Sequence, residues 1–430
     1  MTMDQDWATT QAKLAQVDTA LNALPPPPDR APEVRAQAAE LHAKGRQARS
    51  AFVARHGAEL HAVLRDGTPA RLEELVTRAS LIYPGLVPDA AALSGEAGLQ
   101  QRDKEGLEID QGILAWGMLR SPEAGATIVE DMLRPTNRAL SLLAAYGRTD
   151  RLDLGVVQIE RRGPVAHVTL ANLDVLNAED DRLVDDLETA VDLALLDDQV
   201  EVGVLRGAPM THPRYPGRRV FCAGINLTRL IAGQISLIDF LLRRELGPLG
   251  KIQRGLSIDA PFALGDFGHR REKPWVAAVD TFAIGGGMQM LFAFDHVVAA
   301  DDAYFSLPAV REGIVPGVAN LRLARLVGPR AARRVILGDQ RLHATDPDAR
   351  GLCDDVVASD AVDVAVDRAA QSLRGSAVVA NRRMLHLAAE PVDALRTYLA
   401  QFAVEQAQRM YHDDVLTAIE RNWIARERAR

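Results

Sequence analysis

The sequence predicts an α/β protein: a layered core of short strands and helices, set between an all-helical N-terminal domain and a helical C-terminal region. Three observations carry this prediction. Residues 1–150 show the spacing of amphipathic helices almost throughout. Near Gly155 short apolar runs of strand character begin to alternate with helical stretches, the pattern of a layered α/β architecture. Two of those runs, 220–224 and 275–279, lead through glycine into a helical start.

The elements follow in chain order. In the first domain, Leu60, Val63 and Leu64 and then Leu72, Leu75 and Val76 mark buried helix faces. Prolines break these helices at 25–28, 84–88, 122 and 135. The run at 25–28 reads as a short polyproline linker, with an SH3-type ligand as the alternative. Residues 156–160 and 165–170 read as strands of a hairpin around Arg161-Arg162-Gly163-Pro164. From Asp180 a helix places Leu183, Val184, Leu187, Val191 and Leu195 on one face. A strand at 202–205, a loop rich in Pro and Arg, a helix at 236–254 and strands at 275–279 and 296–300 come next. The last hundred residues read as mostly helical. The expected domains are 1–150, 151–345 and 346–430.

Composition bounds the function. Of 430 residues, 47% are hydrophobic and 25% charged, so a large core forms without staples. A net charge of −8 argues against general nucleic-acid binding. Cys222 and Cys353 are far apart and lack metal-ligand spacing, which points to a reducing compartment. The start, MTMDQDWATTQ, has no apolar segment of a signal peptide, and no stretch reaches the roughly 20 apolar residues of a membrane span. A cytoplasmic protein is expected.

The chemistry lies in two motifs. One is Phe221-Cys222-Ala223-Gly224-Ile225-Asn226-Leu227; the other runs from Lys273-Pro274-Trp275 to Ala283-Ile284-Gly285-Gly286-Gly287-Met288-Gln289. Glycine allows close backbone approach, and the first N–H groups of a helix lack internal partners. Two such turns face to face would present two donors to one oxygen, an oxyanion hole. Tight helix–strand packing is the alternative reading of the triple glycine.

Taken together, the two motifs resemble the crotonase superfamily, with its Phe-x-Ala-Gly-x-Asp and Lys-Pro-x-[Val/Ile]-Ala-x-Val-x-Gly-x-x-x-Gly-Gly-Gly patterns. The resemblance continues through Ala303-Tyr304-Phe305-Ser306-Leu307-Pro308 and Gly313-Ile314-Val315-Pro316-Gly317. It implies a core of repeated ββα units wound as a spiral. It also implies an acyl-CoA thioester whose carbonyl takes the N–H groups of Ile225 and Gly286. Departures narrow the activity. The two glutamates of the hydratases are replaced by Gln289 and Ala309, which cannot serve as base or activate water. Asn226 stands for the usual aspartate, and Asp280-Thr281 for Asn-Gly.

One subgroup combines such departures with a long helical N-terminal domain: the cofactor-independent 3,5-dihydroxyphenylacetyl-CoA dioxygenases of glycopeptide-antibiotic biosynthesis. The chain is similar to them at Glu108-Ile109-Asp110-Gln111-Gly112-Ile113, at Leu176-Asn177-Ala178-Glu179-Asp180 and at Thr211-His212-Pro213-Arg214-Tyr215. It is also similar at Arg243-Arg244-Glu245-Leu246-Gly247 and at Ala380-Asn381-Arg382-Arg383-Met384-Leu385. The resemblance implies that the arylacetyl-CoA is deprotonated, its enolate takes up O2, and the glyoxylate and CoA leave. It implies no cofactor and no metal, and His412-Asp413-Asp414 has no second histidine motif beside it. A homotrimer or dimer of trimers is implied, with the C-terminal helices packing across subunits. An acyl-CoA isomerase or thioesterase and a non-catalytic acyl-CoA-binding paralogue are the competing readings.

The resemblance also assigns roles. Glu179 becomes an acid/base or orienting group; otherwise it is a charge favoured at a helix start. Arg244 would bind ring hydroxylates or a peroxide, with Arg243 its solvated neighbour. Gln289 would bind substrate or order water, or is simply a polar residue closing the helix start. Ile225, Leu227 and Ile314 would line a dry O2 pocket, or simply pack the core. His212, Arg214, Tyr215, Ala223, Gly224, Asn226, Leu227, Gly285 and Gly287 are expected at the substrate and CoA. Arg214, Arg218 and Arg219 are the phosphate candidates, or a solvated basic loop.

Overall fold

The computed structural model describes residues 2–258, 270–418 and 421. The end of the predicted C-terminal helical region, 419–420 and 422–430, lies outside the described residues. Residues before β1 are helical: α1 (Met3–Asn22), α2 (Pro32–Arg65), α3 (Leu72–Ile82), α4 (Ala90–Ala97), α5 (Glu108–Arg120), α6 (Pro122–Met132) and α7 (Asn137–Thr149). The helices break at 25–28, 84–88, 122 and 135 as expected. Pro32 and Pro122 open helices, where a missing N–H costs nothing. The run 25–28 links α1 to α2 through one 3-10 turn.

The core rests on a seven-stranded sheet. It contains β1 (Arg151–Asp153), β2 (Val157–Arg162), β3 (Val165–Leu170), β4 (Val202–Gly207), β7 (Trp275–Val279), β9 (His296–Ala300) and β12 (Asp355–Val357). The order is β1-β2-β3-β4-β7-β9-β12, antiparallel through β3 and parallel beyond. Parallel strands are covered on both faces, which explains why every residue of β7 is apolar and buried. The sheet runs further along the chain than the expected boundary at 345, because β12 closes its far edge. That strand is short and begins with an aspartate, so its pattern carried no strand signal.

The chain repeats one unit: a strand in this sheet, a short extended segment out of its plane, then a helix. Strand β3 leads to Glu179 and α8 (Asp181–Leu196). Strand β4 leads to Cys222 and α9 (Leu227–Ile231). Strand β7 leads to β8 (Phe282–Ile284) and α12 (Gly286–Met290); β9 leads to β10 (Tyr304–Ser306) and α13 (Ala309–Glu312). The out-of-plane segments pair in sequence: Glu179 with Ile225, Cys222 with Ala283, and β8 with β10, all parallel. Strand β11 (Leu342–His343) closes that row antiparallel to β10. The remaining short pair is β5 (Leu256–Ser257) with β6 (Arg270–Arg271).

The helix expected over 236–254 is three pieces. A π-helical turn, Leu237–Leu242, precedes α10 (Arg243–Leu246), and Gly247-Pro248 then breaks the chain before α11 (Pro248–Arg254). Later helices are α14 (Ala319–Val327), α15 (Pro329–Gly338), α16 (Val362–Ser372), α17 (Ser376–Ala389) and α18 (Val392–Arg409). The N-terminal helices do not bury a core of their own. Phe52, Leu60, Ile113, Leu114 and Met118 share one with Leu237, Ile238, Leu242 and Leu246 and with Leu399 and Phe402 of α18.

Beneath that shared core, Lys251 is completely buried, 2.8 Å from Glu188 and 2.7 Å from Asp192. Burial raises the Glu188 carboxyl, but Lys251, Arg71 and Arg243 outweigh it and hold it well below the usual carboxylate range. Lys251→Met leaves Asp192 without its cation and Glu188 with one fewer. It is expected to lower unfolding free energy by ~3–5 kcal/mol, measured by urea denaturation. Among the described residues no helix is long and apolar enough to cross a membrane.

Candidate active site

The row of out-of-plane segments brings the two glycine turns into contact. Ile284 N–H donates to the Cys222 carbonyl at 2.9 Å, and Gly285 N–H to that of Ser306 at 2.7 Å. On the other side, Glu179 N–H donates to Gly224 O and Asn226 N–H to Glu179 O, each at 2.8 Å. Gly224 and Gly285 have φ of +86° and +54°. A Cβ on Gly285 would lie 3.3 Å from the Gly224 Cα, so the turns touch through bare backbone. This pairing leaves out the N–H of Ile225, and the N–H of Gly286 opens α12. Neither finds an acceptor among the described residues. Both residues line the same cavity, so two open backbone donors face one space.

The cavity has a volume of about 660 Å³ including its open mouth. Ile225, Leu227, Phe240, Leu241 and Ile314 form its apolar wall, continuous with a small core around Leu230 and Met410. Glu179, Arg244, Glu245, Gln289 and Glu312 give it polar groups. The π-helical turn supplies Phe240 and Leu241, and α10 supplies Arg244 and Glu245. Ala309 lines the wall where hydratases carry a glutamate, so nothing acidic stands at that position.

Arg244 organises the polar groups. Its Nε donates to Glu179 Oε1 at 2.5 Å, its Nη1 to Glu245 Oε1 at 2.6 Å, and its Nη2 to the Gly286 carbonyl at 2.6 Å. One cation thus serves two buried carboxylates and the turn that carries the open Gly286 N–H. Burial would lower the Arg244 pKa, but Glu179 and Glu245 hold it above the ordinary value, so the guanidinium stays charged. For Glu179, burial wins: it pushes the carboxyl up, against the pull of Arg244. Burial thus favours the protonated form of Glu179, with a fixed positive charge beside it. Its other oxygen rests on Gly286: a Cβ there would fall on Glu179 Oε2.

Of the residues singled out by sequence, Glu179, Ala223, Gly224, Ile225, Leu227, Arg244, Gly285, Gly286, Gln289 and Ile314 line this one cavity. Glu179 does not serve the helix start; Asp180 caps α8 instead, accepting from Leu183 N–H. Asn226 caps α9 and Gly287 packs on Cys222, neither lining the cavity. Arg243, expected in solvent, bonds Glu188 and Asp185 at 2.6 and 2.7 Å. His212, Arg214 and Tyr215 lie outside, where Tyr215 meets Phe282 edge-on and Phe282 stacks on Tyr304. Arg214 and Arg341 stand 5.7 and 4.3 Å from the Tyr215 and Tyr304 ring centres. Arg218 pairs with Asp302 and Arg219 donates to the Gly207 carbonyl.

Glu245 and Glu312 were missed. Glu245 follows Arg244 directly, and neighbours on a helix ordinarily diverge by ~100°. Gly317 makes room: a Cβ there would fall on both Glu245 Oε1 and Gln289 Oε1. Glu245 Oε2 is buried without a hydrogen-bond partner among the described residues. Glycines with such packing demands are visible in a sequence; which carboxylate they admit is not.

Residues 269–420 match the enoyl-CoA hydratase/isomerase family model. The chain is 53% identical to a (3,5-dihydroxyphenyl)acetyl-CoA 1,2-dioxygenase from Amycolatopsis orientalis over 408 residues, covering 94% of this chain and 93% of that protein. It is 30% identical to a short-chain-enoyl-CoA hydratase from Clostridium acetobutylicum, covering 48% of this chain and 70% of that one. An enoyl-CoA hydratase/isomerase structure from Pseudoalteromonas atlantica superposes with a TM-score of 0.51 at 20% identity. It covers 63% of this chain and 98% of that structure, and so speaks for the fold alone.

Proposed function

We propose a function for this chain from one premise: it belongs to the crotonase family of enoyl-CoA hydratases and isomerases, as a near full-length relative of an arylacetyl-CoA dioxygenase. The function is cofactor-independent oxidation of 3,5-dihydroxyphenylacetyl-CoA by O2 to 3,5-dihydroxyphenylglyoxylate and CoA. The observation that carries it is the pair of open N–H donors at Ile225 and Gly286, set between an arginine-bound carboxylate pair and an apolar wall.

In this reading the thioester oxygen accepts from both N–H groups. Those bonds strengthen as charge builds on the oxygen, which favours loss of an α-proton. Glu179 takes or relays that proton, and Arg244 holds the negative charge that follows. Gln289 and Glu245 orient the ring hydroxyls. The α-carbon of the enolate then adds O2, the electrons coming from the electron-rich aryl enolate. The resulting peroxide closes on the thioester carbonyl, the C–S bond breaks, and O–O cleavage leaves a ketone and a carboxylate. Both oxygens of O2 enter the product, and the two α-hydrogens leave as protons, one of them on the CoA thiol. Ile225, Leu227 and Ile314 supply walls suited to an apolar gas.

In this reading Arg214 and Arg341, which stand over the Tyr215 and Tyr304 rings, meet the CoA nucleotide. A homotrimer or a dimer of trimers in the cytoplasm completes the reading. The exposed Met384, Leu385 and Leu387 on α17 offer an apolar face for assembly, and light scattering reads the stoichiometry. Among the described residues no three His, Cys, Asp or Glu side chains gather as a metal site. The deciding experiment is O2 uptake with 3,5-dihydroxyphenylacetyl-CoA under a strong chelator. One O2 consumed per CoA released is the expected result. CoA release without O2 uptake would instead establish a thioesterase, and binding without turnover a non-catalytic paralogue.

A further inference from the structure

The segment 237–246 has two faces with different duties. Leu237, Ile238, Leu242 and Leu246 point into the core shared with α2, α5 and α6. Phe240, Leu241, Arg244 and Glu245 line the cavity. Its backbone is not a regular helix: Leu241 N–H reaches back to Ser236 O at 3.2 Å, one residue beyond the α pattern. A π-turn of this kind is less stable than α-helix and needs support from its surroundings.

The N-terminal helices supply that support at both ends. At the start, Ser236 makes no side-chain cap. Glu108, the first residue of α5, accepts from Leu237 N–H with Oε1 at 2.8 Å and from Tyr411 Oη with Oε2 at 2.7 Å. At the far end, Arg71 precedes α3, and its Nη2 donates to both oxygens of Glu188, at 2.9 and 3.1 Å. The same carboxylate takes Arg243 Nε at 2.6 Å. Arg71 is itself held by Glu73 at 2.5 Å and by the Met132 carbonyl at 3.3 Å. Glu188 is therefore a buried relay between α3 and the residue next to Arg244.

We propose that Glu108 and Arg71 are positioning residues for the reaction, clamping the two ends of segment 237–246 so that Arg244 and Glu245 meet the oxyanion turn in register. This rests on the dioxygenase reading of the cavity. The helical N-terminal region then acts on chemistry it never touches. Arg244 spans Glu179, Glu245 and the Gly286 carbonyl through three bonds of 2.5–2.6 Å. A shift of about 1 Å would break that register, and misplacement on this scale costs as much as ~100-fold in rate.

The test uses the full chain. Glu108→Ala removes the acceptor for Leu237 N–H, while Glu108→Gln keeps one. Arg71→Lys keeps the charge but not the fork of three nitrogens that ties Glu188 to Glu73 and the Met132 carbonyl. Expected for Glu108→Ala and Arg71→Lys is faster hydrogen–deuterium exchange across 237–246, with the main sheet unchanged. Their kcat should fall ~10- to 100-fold at nearly constant KM, with more CoA released per O2 consumed. Glu108→Gln should restore both exchange and kcat. Exchange that stays at the wild-type rate, or that rises equally in the sheet, overturns the clamp, as does a kcat loss that Glu108→Gln fails to rescue. A wild-type protein that consumes no O2 defeats the dioxygenase reading instead, and the exchange pattern still decides whether these residues hold the segment.

Discussion

Gly286→Ala is expected to lower kcat by ~10³-fold while the protein still folds. The glycine has no room for a methyl group, because a Cβ there would fall on Glu179 Oε2 and lie 3.2 Å from Arg244 Nη2. Either Glu179 leaves its place or the turn rotates. If the turn rotates, one oxyanion donor is lost, which by itself costs ~10²- to 10³-fold. If Glu179 moves, the arginine pair opens and the proton route is lost with it. Overpacking of this size costs ~1–3 kcal/mol of stability, so calorimetry and steady-state kinetics on one preparation separate the two effects. A variant with near wild-type kcat would remove Gly286 from the oxyanion assignment. Gly285→Ala is the useful comparison: its Cβ would meet only the Gly224 Cα at 3.3 Å, and its penalty arises from φ of +54°.

Glu179→Gln is expected to cost ~10²- to 10⁴-fold in kcat, the usual contribution of a positioned acid or base. The same variant has a pH signature in stability. Burial lifts the Glu179 carboxyl above its ordinary 4.5, so the native state binds this proton more tightly than the unfolded chain. The stability that the protonated group contributes is complete below about pH 4.5 and is lost as pH rises through the folded-state value. Glutamine removes this dependence. The melting temperature of Glu179→Gln relative to wild type should therefore increase between pH 5 and pH 8. Arg244→Met acts in the opposite sense: two buried carboxylates lose their cation, costing ~3–5 kcal/mol at pH 8 and less at pH 5, where Glu179 more readily takes its proton. Thermal unfolding across that range checks both signs. A flat difference for Glu179→Gln would mean that Arg244, not burial, controls the carboxyl.

Much of this was legible along the chain because its signals are local. The period of the N-terminal helices, the hairpin around Gly163 and the apolar run of β7 each lie within a few residues of sequence. The triple glycine at 285–287 and Gly224 were legible as close-approach positions for the same reason. The substitutions Gln289 and Ala309 also needed only the sequence, since an amide and a methyl cannot do a carboxylate's work wherever they sit. By contrast, β12 is three residues long and begins with Asp355, so only its pairing with β9 makes it a strand. Arg243 reads as a surface charge until Glu188, 55 residues earlier, is found beside it.

The sequence by itself determined the chemistry on offer: backbone donors freed by glycine, an arginine that cannot be neutralised, carboxylates, and no hydratase acid pair. Tertiary structure alone decided their company. The pairing of Glu179 with Ile225 and of Cys222 with Ala283 brings two open N–H groups to one cavity. A long-range fold buries one guanidinium between Glu179 and Glu245, and it brings Arg71 and Glu108 from the N-terminal helices to the segment that carries Arg244. The reason is physical. Periodicity reports which face of an element is buried, but the electrostatics of a dry site depends on distances between charges far apart in the chain, and only the packed fold sets those distances.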